Sequence, residues 1–131
     1  MPVVDQFDLL TPEGYGIYGE VNDGGVVEFV ILAGEGSPIR GTEMFNRMMD
    51  HFGAKATAIH GSWRKNPNGD LSTNIDKVNE LTSLGVPLEE AVHQAWTVTR
   101  AKKRGYSTVN VIGVPEGVPG SYVKIDVLIE K

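Results

Sequence analysis

Two runs patterned for β-structure, "YGIYGEV" (15–21) and "VVEFVILA" (26–33), flank the tetrapeptide Asn22-Asp23-Gly24-Gly25. Asp and Gly tolerate the positive φ that tight hairpin turns require, so this turn commits its neighbours to antiparallel pairing. An all-helical fold is thereby excluded, and the remaining chain must complete a sheet. In the first run Tyr15, Ile17, Gly19 and Val21 share one side, a period of two. The second run is almost continuously apolar, which predicts a central strand covered on both faces. Residues 1–14 carry Val3, Val4, Phe7, Leu9 and Leu10 without a clear period. They are read as an N-terminal arm to a core spanning 15–131, and the 131 residues as a single domain.

Beyond the hairpin, Met44, Phe45, Met48, Met49 and Phe52 recur at helical spacing, and Gly53 is a natural left-handed stop. "AKATAIHG" predicts a short strand with Ala54, Ala56, Ala58 and His60 on one face. "SWRKNPNGDLS" is a loop by composition, with Asn66-Pro67-Asn68-Gly69 as its turn. Thr73 and Asp76 have capping-box spacing, and Ile75, Val78 and Leu81 give a short helix ending at Gly85. Pro87, Glu89 and Glu90 open another helix, whose buried stripe is expected at Leu88, Ala91, Val92, Ala95, Trp96 and Thr99. "YSTVNVIGV" and "SYVKIDVLIE" are strands joined by "PEGVPG"; in the last, Val123, Ile125, Val127 and Ile129 alternate inward. The order β-β-α-β-α-α-β-β predicts an α+β fold: a mixed, largely antiparallel sheet with about three packing helices.

Seventeen acidic residues against twelve basic give a net charge of −5, which opposes a general nucleic-acid binder. The basic run Lys102-Lys103-Arg104 stands before Gly105, where cations meet a helix C-terminus favourably. No apolar run approaches the ~20 residues that span a bilayer, so a membrane protein is not expected. The beginning of the chain does not read as a signal peptide, which suits a cytoplasmic protein or part of a larger secreted effector. With no cysteine, disulfides, thiolate catalysis and cysteine-rich zinc sites are all excluded.

Candidate chemistry is sparse. Arg40 and Glu43 lie three apart at a helix start. Arg40 is read either as a clamp for a phosphate or carboxylate, or as one half of a surface ion pair. Glu43 is read as a base or acceptor beside it. With Gly41 and the glycines at 34 and 36, the stretch has the parts of an anion cradle, although Glu43 suits a polar ligand better than a bare pyrophosphate. His60 ends a short strand beside Gly61 and Trp63, as a general base or as a hydrogen-bonded core-edge histidine. Trp63 is either a core anchor or a stacking platform, whereas Trp96 belongs to the core stripe. Thr97 and Thr99 are expected to back-bond within their helix. The histidines form no His-x-x-x-His pair, and "NPNGDLSTNID" lacks the alternation of a calcium loop, so no metal site is expected.

The element order is similar to that of the GNAT acyltransferases over residues 15–130. That resemblance implies an acyl-CoA site at the turn before the 41–52 helix, where the family places an Arg or Gln three residues before its first glycine and a small residue two after. Pro38 and Glu43 stand in those places, which disfavours acyl-CoA as a cofactor. A second resemblance rests on "IRGTEMFNRMMDHFG", "AIHGSW", "NIDKVNEL", "LEEAVHQAWT" and "PGSYVKIDVLI". From Arg40 onward the chain resembles the C-terminal domains of bacterial polymorphic-toxin and RHS-type proteins, through Arg40, Gly41, Glu43, Gly61, Trp63, Asn74, Thr97, Pro119, Gly120 and Tyr122. It implies an effector domain with a polar or anionic ligand between the 34–43 loop, the 60–65 strand end and the Asn74 helix start. Ligand-binding roles fall to Arg40, Gly41, Trp63, Asn74 and Thr97, and catalytic roles to Glu43 and His60. The ligand is a small molecule or a protein, with a cognate immunity protein as a further partner. The alternatives are a non-catalytic immunity- or adaptor-like binding module and a divergent acyltransferase.

Overall fold

The structure, a computed structural model, describes residues 1–65 and 73–131. Among the described residues it is α+β, with six strands and four α-helices. The strand order is β1-β2-β3-β4-β6-β5, antiparallel in the pairs β1–β2, β2–β3 and β5–β6 and parallel in β3–β4. Two compact units divide the chain, Met1–Ile59 and His60–Lys131.

In the first unit, β1 (Val3–Leu10), β2 (Gly16–Asn22) and β3 (Val26–Leu32) form a meander, and α1 (Gly41–Phe52) lies on one face. The expected hairpin is present. Asn22 Oδ1 accepts from the amides of Gly24 and Val26 at 2.8 and 3.0 Å, and Gly25 takes φ +81°. Every residue of the predicted α1 stripe is buried. Gly19 makes that packing possible, because a Cβ there would sit 2.3 Å from the Met48 sulfur. Phe29 and Phe45 rings meet across the same interface at 5.6 Å.

Three expectations for this unit are corrected. Residues 3–10 are a strand, not an arm; a register shift between Val3 and Asp5 hides their period. The strand β3 is covered on one face only: Val27 is buried, while Val30 and Leu32 are 71% and 50% exposed. A run of apolar residues cannot by itself distinguish one covered face from two. Finally, Gly53–Lys55 is a 3₁₀ turn, and β4 (Ala58–Arg64) starts only at Ala58, pairing Val26 with Ala58 and Val27 with Ile59.

The strand β4 continues into the second unit, which adds α2 (Thr73–Ser83), α3 (Leu88–Ala91), α4 (Trp96–Lys102), β5 (Thr108–Glu116) and β6 (Lys124–Glu130). Its core holds Trp63, Ile75, Val78, Val92, Val98, Ala101, Ile125, Val127 and Ile129. The helix α2 stops as predicted, with Gly85 at φ +91° and the Val86 amide reaching back to the Leu81 carbonyl.

The single helix expected from Pro87 is broken. Val92–Gln94 is 3₁₀, and Ala95 is extended at φ −64°, ψ 149°. The break changes the phase of the buried stripe. Thr97, Val98 and Ala101 face inward, and Trp96 is half-buried beneath the Arg100 guanidinium at 4.7 Å instead of in the core. Thr99 back-bonds to Trp96 at 2.9 Å, as expected; Thr97 does not. Val123 precedes β6 and is exposed. The Asn66-Pro67-Asn68-Gly69 turn lies outside the described residues, as does most of the loop compared with a calcium site.

Candidate functional site

The predicted site residues fall into both units. In the first, Arg40 is the exposed N-cap residue of α1, with an extended backbone and no capping side chain. Gly41 is the first helical residue. Glu43 does not turn to Arg40: its Oε1 accepts from Arg47 Nη2 at 3.0 Å, an exposed i,i+4 pair. The preceding loop is held by Tyr15, whose hydroxyl donates to the Glu35 carbonyl at 3.0 Å, and by Ser37, which donates to the Ile39 carbonyl.

In the second unit, Asn74 and Thr97 are brought together, each engaged with the other. Asn74 Oδ1 accepts the Thr97 amide at 2.9 Å, and its Nδ2 donates to Thr97 Oγ1 at 3.0 Å. The bonds have a local cause. Ala95 stands at the N-cap of α4 and cannot cap it, so Asn74 satisfies a first-turn amide from a neighbouring helix. Trp63 is 7% exposed and folds back over Gly61, where an added Cβ would lie 2.6 Å from the indole Nε1. It is therefore a core anchor and no platform for a ligand.

His60 stands apart from these. Along β4, Ile59, Gly61 and Trp63 point into the core, which leaves His60, Ser62 and Arg64 on the opposite face. On β6 the same alternation buries Ile125 and Val127 and turns Lys124 and Asp126 outward. His60 Nε2 lies 3.2 Å from Asp126 Oδ1, with side chains 27% and 25% exposed. Lys124 Nζ is 3.7 Å from the other carboxylate oxygen. Burial raises the Asp126 carboxyl, but hydrogen bonds from Ser62 and His60 and the Lys124 charge outweigh it, leaving the group below the ordinary aspartate value of 3.8. Asp126 is therefore an anion near neutral pH and can only accept. In the bond to that anion His60 Nε2 is the donor.

The inward alternation of Ile125 and Val127 leaves Asp126 between them on the other face, but nothing in the sequence pairs it with a residue 66 positions away. Asn79 was also missed. Its amide accepts from the Tyr122 N–H at 2.7 Å and donates to the Tyr122 carbonyl at 3.0 Å, while Thr82 Oγ1 accepts from Gly120 at 2.8 Å. These bonds strap the 117–123 loop to α2 along an open cleft of about 530 Å³. Asn79 is committed to the strap, and Lys65 pairs with Asp76 at the rim of the cleft. Among the described residues, no three His, Asp or Glu side chains converge as metal ligands would, and no helix is long and apolar enough to cross a membrane.

No family model, curated protein or solved structure matches this chain.

Proposed function

We propose that the chain is an effector domain of the polymorphic-toxin and RHS-associated kind, acting on a polar or anionic ligand with His60 as its general base. The observation that carries this reading is the His60–Asp126 bond on a sheet face where Ser62 and Arg64 are exposed. A carboxylate on one imidazole nitrogen fixes the ring's orientation and stabilises the imidazolium that forms when the other nitrogen takes a proton. Arg64 and Lys124 put positive charge on the same face, suited to an anionic group beside the proton being removed. Ser62 completes the hydrogen bonding of the carboxylate.

The test is growth of bacteria expressing the wild-type chain, His60→Ala or Asp126→Asn, directed to the cytoplasm and to the periplasm. Wild type should arrest growth in one compartment, His60→Ala should abolish the arrest, and Asp126→Asn should weaken it while expression stays equal. A wild-type chain harmless in both compartments, or a fully toxic His60→Ala, would refute the assignment.

A divergent acyltransferase of the GNAT plan is a second reading, supported by the parallel β3–β4 step that follows an antiparallel meander. The carboxylate of Glu43 at the start of α1 weighs against a pyrophosphate there. A rise in melting temperature with acetyl-CoA would favour this reading over the first.

A further inference from the structure

Among the described residues, the three-stranded meander of the first unit is covered by α1 on one face and exposed on the other. The inner rows, Leu9–Ile17–Ile31, Phe7–Gly19–Phe29 and Asp5–Val21–Val27, lie under α1. The outer rows run Leu10–Gly16–Leu32, Asp8–Tyr18–Val30 and Gln6–Glu20–Glu28. An outward sheet face is ordinarily polar. Here Leu10 and Val30 are 73% and 71% exposed, and Leu32 and Tyr18 are exposed with them. These four side chains occupy two adjacent rows, so they form one contiguous patch, of the kind that marks an interaction surface. The third row is acidic, and Asp8 adds a further carboxylate beside Tyr18.

Shape and charge identify the occupant. Three strands spaced by about 4.8 Å present a face roughly 10 Å across, the diameter of one α-helix. The inner face shows what such a surface accepts, since a single amphipathic helix covers it with Met44, Met48 and their neighbours. The acidic row adds a sign: it favours Lys or Arg and repels nucleic acid and anionic lipid. A second copy would bring the same acidic row and the chain's net charge of −5 to the contact. We infer that the outer face of β1–β3 is a docking surface for an amphipathic helix of another protein. The helix would set aliphatic side chains on Leu10, Tyr18, Val30 and Leu32 and basic residues over Glu20 and Glu28. This inference does not depend on the role of His60.

The experiment is amide NMR of the full chain, titrated with a synthetic amphipathic Leu/Lys helical peptide. Two controls are a scrambled peptide of the same composition and a Leu/Glu counterpart. Shifts should concentrate on Tyr18, Val30, Leu32 and their strand neighbours for the Leu/Lys helix alone, and should weaken with added salt. Val30→Lys with Leu32→Lys should weaken binding by about tenfold or more, as expected on losing two aliphatic anchors. The melting temperature should not change, because both residues are exposed. Glu20→Gln with Glu28→Gln should weaken binding and flatten its salt dependence. Absence of shifts on this face, or equal response to either control peptide, overturns the inference. So does self-association that Val30→Lys disperses, which would make the face a contact between copies, or binding of the wild-type chain to phosphatidylglycerol vesicles.

Discussion

Replacing Asn74 by alanine separates a structural role from a ligand-binding one. The Asn74 amide satisfies two groups of Thr97, a residue only 2% exposed: its backbone N–H, an orphan of the first turn of α4, and its hydroxyl. Loss of a capping acceptor costs about 1 kcal/mol. A buried polar group left without a partner costs about 1–3 kcal/mol, although the hydroxyl can turn toward another acceptor and lies at the lower end. Asn74→Ala should therefore destabilise the protein by roughly 2–3 kcal/mol, a loss of order 6–12 °C in Tm for a chain of this length. Asn74→Asp keeps the acceptor for the amide, and the Thr97 hydroxyl can donate to its carboxylate, so most of the stability should return. Urea unfolding of Asn74→Ala, Thr97→Val and the double variant completes a cycle, with a coupling energy expected near 1 kcal/mol. An Asn74→Ala protein as stable as wild type, with coupling near zero, would refute this account and return the amide to a ligand.

Two further outcomes follow from packing and charge. Gly19→Ala should destabilise the first unit by about 1–3 kcal/mol, because the new Cβ meets Met48 on α1 and the Phe29 Cβ lies at 3.3 Å; unchanged Tm would show that α1 lifts without cost. The Asp126 carboxyl is held below its ordinary 3.8, so its stabilising contribution is complete above that value and is lost as pH falls through the depressed one. The stability gap between wild type and Asp126→Asn, read by urea midpoints from about pH 5 to about pH 2, should shrink with acidification. Asp5, lowered by the Lys55 hydrogen bond against a smaller effect of burial, leaves some acid sensitivity in the variant. A gap that widens toward low pH would contradict the assignment.

Local chemistry determined what was legible in the sequence. The Asn22–Gly25 turn, the α1 stripe, the Gly85 stop and the inward residues Ile125, Val127 and Ile129 each depend on backbone preference or periodicity within a few residues. The α+β class followed from their order. Tertiary structure decided the rest. The apolar run of β3 reads the same whether one face or two are covered, and only the position of α1 leaves Val30 and Leu32 bare. Ala95 has the highest helix propensity of any residue, so nothing local announces the break there; the Asn74 cap, reaching from α2, compensates the new helix end. The candidate site has the same origin. In sequence His60 shares a face with the small residues Ala54, Ala56 and Ala58, and Asp126 stands between the inward Ile125 and Val127; only the placement of β4 beside β6 brings their side chains within 3.2 Å. Sequence specifies which side of each strand a residue occupies, because side chains alternate along the backbone. Which residue it faces depends on pairing across distant segments, set by the packing of the whole sheet.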